Sequence, residues 1–114
     1  MNQSLSRTLK STFLQLLEDL KTKDNLDKFL KDFLEENEYR ELVKRLAVIY
    51  WLRKKRPTSV IKENLKVTNA YIDSIKAKMD LPGNKLAIKY MEAEEFANVW
   101  SEKINNFRLP RKVA

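Results

Sequence analysis

Residues 57–79 read PTSVIKENLKVTNAYIDSIKAKM, and their spacing decides the fold. Take Thr58 as the first position of a unit of about twenty residues, the size of two short helices and a tight turn. Apolar residues then fall at positions four, eight, ten, fifteen and eighteen: Ile61, Leu65, Val67, Ile72 and Ile75. Two helices that cross steeply need apolar groups at those places, because those side chains face each other. The spacing is that of a DNA-binding helix-turn-helix. Lys62, Lys66, Asn69, Tyr71, Lys76 and Lys78 are left on the outside, a basic and polar face suited to a duplex. The turn departs from the usual pattern. Position nine, where Gly takes a left-handed conformation without strain, holds Lys66. An ordinary pair of packed helices has the same apolar positions, so the segment alone leaves both readings open.

The rest of the chain is helical in character. It has 114 residues with one Gly and three Pro, too few breakers for a sheet-rich fold and a length that suits one domain, residues 1–114. Leu5, Leu9, Phe13, Leu16, Leu17 and Leu20 recur at helical spacing and predict an amphipathic helix over 4–22. Asp24 or Asn25 is placed to cap a second, short helix over 26–34, with Leu26, Phe29, Leu30, Phe33 and Leu34 inward. A third helix over 36–55 opens with Glu35, Glu36 and Glu38 and closes with Arg53, Lys54, Lys55 and Arg56, which suits its dipole, and Pro57 stops it. Its middle, Leu46–Leu52, is apolar over nearly two turns. That predicts burial on all sides, against a second copy of the chain or under its own neighbours. After the helix-turn-helix, Asp80-Leu81-Pro82-Gly83-Asn84 is the clearest breaker. A last helix over 85–106 carries an apolar stripe of Leu86, Tyr90, Ala93, Ala97, Trp100, Ile104 and Phe107, widened by Met91, Phe96 and Val99. A basic tail follows.

Composition narrows the function. The chain has no Cys and no His, so disulfides, thiolate metal sites and the commonest general base are excluded. No catalytic residue, metal site or cofactor is expected. Glu92, Glu94 and Glu95 lack a motif around them and read as a solvated helix face. The formal charge of +7 favours an anionic partner: nucleic acid, an anionic membrane surface or an acidic protein. No segment reaches the ~20 apolar residues that span a bilayer, and the amphipathic N-terminus does not read as a secretion signal. A cytoplasmic protein without a membrane partner is the expectation.

The stretch from Phe13 to Asp80 adds a resemblance. A short Leu/Phe helix runs into an acidic EENEYREL start and a basic-apolar VKRLAVIYWLR continuation, and the helix-turn-helix follows directly. This resembles the Trp-repressor superfamily, and within it the Trp-repressor-like proteins of YerC/YecD type. The resemblance implies an all-α, six-helix fold, an intertwined homodimer and a transcriptional regulator that binds double-stranded DNA. It also implies that residues near the start of the recognition helix, Asn69, Ala70 and Tyr71 with Asp73 further on, approach the bases. The tryptophan-responsive members hold their ligand with two arginines and a serine. The corresponding positions here are Lys44, Ser74 and Lys78, and Ile75 replaces a small residue that makes room for indole. Lys44 keeps charge but not the planar fork that grips a carboxylate. Tryptophan binding therefore does not carry over, and no other effector is indicated.

Each DNA-binding candidate has a plainer role beside it. Thr68 suits the cap of the recognition helix, with the helix N-terminus toward phosphate. Asn69 suits either a bidentate pair with adenine or simple turn chemistry. Tyr71 suits a base or phosphate contact, or cover for apolar surface. Lys62, Lys66, Lys76 and Lys78 suit phosphates, or a solvated face. Arg53–Arg56 suit the helix dipole, a backbone clamp, or both. Asp73 is awkward near phosphate, although a carboxylate accepts from cytosine N4. Trp51 and Trp100 read as core or dimer-interface aromatics. The alternative function is a helical protein-interaction module that keeps the fold without reading DNA, with Lys66 and Asp73 as its support. A third, peripheral membrane binding, is weakened by the acidic residues that interrupt the basic ones.

Overall fold

Side-chain chemistry at the helix ends sets the element order. The computed structural model describes the backbone of residues 1–108 and the side chains of residues 1–95. Its described residues form six α-helices and no strand: α1 (Gln3–Leu20), α2 (Lys23–Phe33), α3 (Glu36–Arg53), α4 (Thr58–Leu65), α5 (Asn69–Lys76) and α6 (Pro82–Arg108). Asn2 caps α1 by accepting from the Leu5 N–H at 2.7 Å. Thr22, not Asp24 or Asn25, caps α2: its hydroxyl accepts from the Asn25 N–H at 3.1 Å. Three nearby residues can cap there, Thr22, Asp24 and Asn25, and the one in extended conformation ahead of the first turn takes the role. At the start of α3 the Glu38 carboxylate accepts from the Glu35 N–H at 2.8 Å, half of a capping box.

The chain divides into two compact units, Met1–Leu42 and Val43–Ala114. In the first, α1 and α2 pack against each other through Phe13 and Phe33, whose ring centroids lie 6.1 Å apart, and Phe29 stacks on Phe33 at 4.9 Å. The Tyr39 hydroxyl donates to Asp27 at 2.9 Å, a bond that holds the phenol pKa above its ordinary value. Neither α1 nor α2 buries a single residue. Leu5 and Leu9 stay about half exposed, and Phe33, expected inward, is 60% exposed. The predicted stripe exists, but two short helices have too little material to cover it.

The second unit holds the core. Val48 and Ile49 of α3, Ile61 of α4, Ile72 and Ile75 of α5 and Ile88 of α6 are buried together. Trp51, Leu52, Leu65, Val67, Tyr71, Met79 and Met91 pack around them. All five positions that define the helix-turn-helix spacing are therefore accounted for: Ile61, Ile72 and Ile75 are buried, and Leu65 and Val67 pack against them. The apolar middle of α3 is not covered on all sides within one chain: Val48 and Ile49 are buried, while Leu46 is exposed. The last helix differs from expectation at both its start and its face. Pro82 is its first residue, where a missing N–H costs nothing, so the expected breaker is partly helix. Ile88 and Met91 turn to the core, whereas Leu86 and Tyr90 of the predicted stripe are exposed. The expectations for Phe96, Ala97, Val99, Trp100, Ile104 and Phe107 lie outside the described side chains, and the tail beyond Arg108 lies outside the described residues.

Among the described residues three other than Gly take positive φ, and all are lysines: Lys21, Lys55 and Lys66. Lys55 follows α3, where the Arg56 N–H donates to the Trp51 carbonyl and the Lys55 N–H to the Leu52 carbonyl, both at 3.0 Å. This is a Schellman closure with Lys where Gly is usual. Lys66 ends α4 at φ 55 and ψ 53, with its N–H on the Lys62 carbonyl at 2.9 Å. The tight turn of the motif is thus built with the expected left-handed geometry on a strained residue. Lys66→Gly relieves that strain but frees the unfolded chain, and denaturant unfolding should show a net gain of about 0.5–1 kcal/mol. A loss instead would mean that the lysine side chain has a stabilising contact.

Candidate nucleic-acid interface

The recognition helix is short, so its neighbours hold it. An isolated helix of two turns is not stable in water. α5 is fastened on its inner face by Ile72 and Ile75, which are 1% and 7% exposed. At its N-terminus Thr68 supplies the expected cap, accepting from the Tyr71 N–H at 3.1 Å. Beyond its C-terminus the chain closes through Lys78 N–H on the Ile75 carbonyl at 2.9 Å, and Asn84 donates to the Lys78 carbonyl at 2.9 Å.

This arrangement brings most of the candidates to one end and one face. Thr68, Asn69 and Ala70 are exposed at the N-terminus of α5, with exposed Lys66 just before them in the turn. Asp73, Lys76 and Lys78 are exposed further along, and Lys62 on α4 is half-buried. Tyr71 is the exception. It packs against the core cluster, and its hydroxyl is buried with no hydrogen-bond partner among the described residues. Of the two roles open to it, covering apolar surface is the one its position fits. The reason is helical phase: Tyr71 lies one residue from buried Ile72 and one turn from buried Ile75.

A cavity of about 200 Å³ lies behind the recognition helix, lined by Arg45, Ile49, Tyr71, Ser74, Ile75, Lys78 and Asn84. Ser74, Ile75 and Lys78 do meet there, but the third-helix cation among its lining residues is Arg45 rather than Lys44. Arg45 sits one turn before Ile49 and so shares its face. The Ser74 hydroxyl donates to the Tyr71 carbonyl at 2.7 Å, within its own helix. Buried Ile75 and the Tyr71 ring supply much of the apolar wall.

The basic end of α3 is also engaged in a way that spacing did not reveal. Arg53 pairs with Glu92 at 3.2 Å and Lys54 with Glu95 at 2.9 Å. The Glu95 carboxyl is held below its ordinary pKa first by the Lys54 bond and then by one from the Tyr50 hydroxyl. The same contact with Glu95 raises Lys54 and Tyr50. Glu92 and Glu95 are therefore paired rather than simply solvated, and only Glu94 of that cluster stands exposed. Arg56 places its guanidinium 5.8 Å from the centre of the Trp51 ring, a cation–π contact.

Among the described residues no group of His, Cys, Asp or Glu could hold a metal ion, and no helix is long and apolar enough to cross a membrane. No curated protein and no solved structure gives a significant match to the chain. The sequence profile described as Trp repressor protein matches residues 8–93, a span that takes in most of α1, all of α2 to α5 and the start of α6. With that match over most of its length, the chain belongs to the Trp repressor family of helix-turn-helix DNA-binding regulators.

Proposed function

We propose that this protein is a homodimeric, sequence-specific DNA-binding regulator of transcription, acting in the cytoplasm. Two copies of α5 enter successive major grooves about one helical turn apart on a pseudo-palindromic site. The observation that carries the reading is the geometry of α5: its inner face is locked in the core while its capped N-terminus presents Asn69 and Ala70 to solvent. Asn69 reads a base edge, and Lys62, Lys66, Lys76 and Lys78 position the helix on phosphates. Thr68 orients the first-turn N–H groups that meet a phosphate. Tyr71, with its ring on the core, holds α5 from behind.

A mobility-shift assay on a selected duplex and on random DNA, each at two salt concentrations, tests this division of labour. Each Lys→Ala change should weaken binding to all duplexes and lower the salt slope by about one unit. Asn69→Ala should cost ~1–3 kcal/mol on the preferred site and little on random DNA. Equal loss on both would make Asn69 a positioning residue. No loss from any of the four lysines would favour the protein-interaction module, the reading to which exposed Asp73 lends support.

Tryptophan is not the effector under this proposal. Ile75 occupies a wall of the cavity where indole needs room, and Ser74 stands where the recognition-helix arginine is expected, although Arg45 supplies a third-helix guanidinium in place of Lys44. Calorimetry with L-tryptophan should give no micromolar heat of binding. A stoichiometric micromolar site would show that the cavity opens around Ile75.

A further inference from the structure

The corner between α3 and α4 carries the densest run of cations in the chain, Arg53-Lys54-Lys55-Arg56, directly before Pro57 and the start of α4 at Thr58. In a docked helix-turn-helix the first helix crosses the phosphate backbone, so the residues that lead into it lie beside phosphate. Two of these four cations are already occupied. Glu92 and Glu95 lie one turn apart on α6 and meet Arg53 and Lys54 at 3.2 and 2.9 Å. The side chains in these pairs are between 37% and 50% exposed, so the pairs are in reach of solvent and of a competing anion.

We infer that Glu92 and Glu95 are built-in competitors of DNA phosphate: they hold Arg53 and Lys54 in the free protein and so restrain its binding to DNA of any sequence. The inference rests on the DNA-binding reading above. Exposed ion pairs are weak, so a well-placed phosphate displaces the carboxylates, whereas a poorly placed one does not. The device therefore suppresses loose binding more than docked binding. It acts through competition for two named cations, not through the overall charge.

The test is the salt dependence of binding to random duplex DNA for the wild type and for Glu92→Gln/Glu95→Gln. With two more cations free for phosphate, the slope of log affinity against log salt should steepen by about two units. Lowering the salt from about 200 to about 50 mM should then strengthen the variant roughly tenfold more than the wild type. Glu94→Gln removes one of the same charges from exposed Glu94 and should leave the slope unchanged. Adding Arg53→Gln/Lys54→Gln to the double variant should abolish its gain. An unchanged slope with a lower melting temperature would overturn the inference, because the pairs would then only fasten α6 to α3. A wild type that binds duplex with the expected slope while the variant merely matches it overturns this inference alone. Absence of binding by every protein, variant included, overturns the DNA-binding reading with it.

Discussion

Light scattering at micromolar concentration should give a particle of twice the 13.5 kDa chain mass, and Leu5→Glu/Leu9→Glu should return it to 13.5 kDa. Both positions lie one turn apart on α1, a helix that buries nothing, and are 47% and 49% exposed. Phe13, Leu14 and Leu16 are exposed on the same helix, and Leu42 on the first part of α3. Soluble monomers rarely leave so continuous an apolar surface in water. In the proposed homodimer a second copy would supply the missing material. Covering the remaining half of each leucine is worth about 1 kcal/mol, whereas burying a carboxylate without a partner costs several. Two such replacements outweigh a micromolar association of about 8 kcal/mol once neighbouring contacts loosen with them. A wild type that scatters as a monomer across the micromolar range would remove the two-groove mechanism. A variant that stays dimeric would move the interface away from α1.

Ile72→Ala should lose about 2–5 kcal/mol in denaturant unfolding, against a typical domain stability of about 5–15 kcal/mol. Ile72 is 1% exposed and belongs to the cluster that also contains Val48, Ile49, Ile61, Ile75 and Ile88. Truncation leaves a cavity under the recognition helix, and α5 has no independent stability with which to hold its place. Binding to the preferred duplex should fall with it even at temperatures where the protein is still folded. Ile72→Val removes one methylene and should cost only about 0.5–1.5 kcal/mol, with binding retained. A loss below about 1 kcal/mol for the alanine variant would mean that α5 is anchored elsewhere.

What the sequence revealed follows from what repeats locally. The five spaced apolar residues from Ile61 to Ile75 located the helix-turn-helix, because a side chain every three or four positions has one steric consequence on a helix. Thr68 was legible as a cap because the apolar pattern restarts just after it. The misreadings have long-range causes. Whether Leu86 and Tyr90 or Ile88 and Met91 face inward depends on where α6 meets the core, and both pairs have helical spacing. Lys44 and Arg45 differ by about 100° of helix rotation, which only the position of Ile49 resolves. The pairing of Lys54 with Glu95 joins residues 41 apart and leaves no local trace. Tyr71 has an apolar ring and a polar tip, so its type fits either side of α5.

The lysines at left-handed corners give the chain a particular electrostatic shape. A glycine at such a corner is an empty site, bare backbone with nothing beyond it. Here Lys21, Lys55 and Lys66 put an exposed cation at each of three connections between helices. Replacing the three would remove close to half of the formal charge of +7. Three of the 23 cations thus stand at corners of the chain, and their loss would weaken the long-range field felt by an anionic polymer. Backbone strain at those corners is the thermodynamic counterpart of a faster encounter. Glycine at all three should yield a more stable protein that finds DNA more slowly at low salt, and stopped-flow association rates would show it.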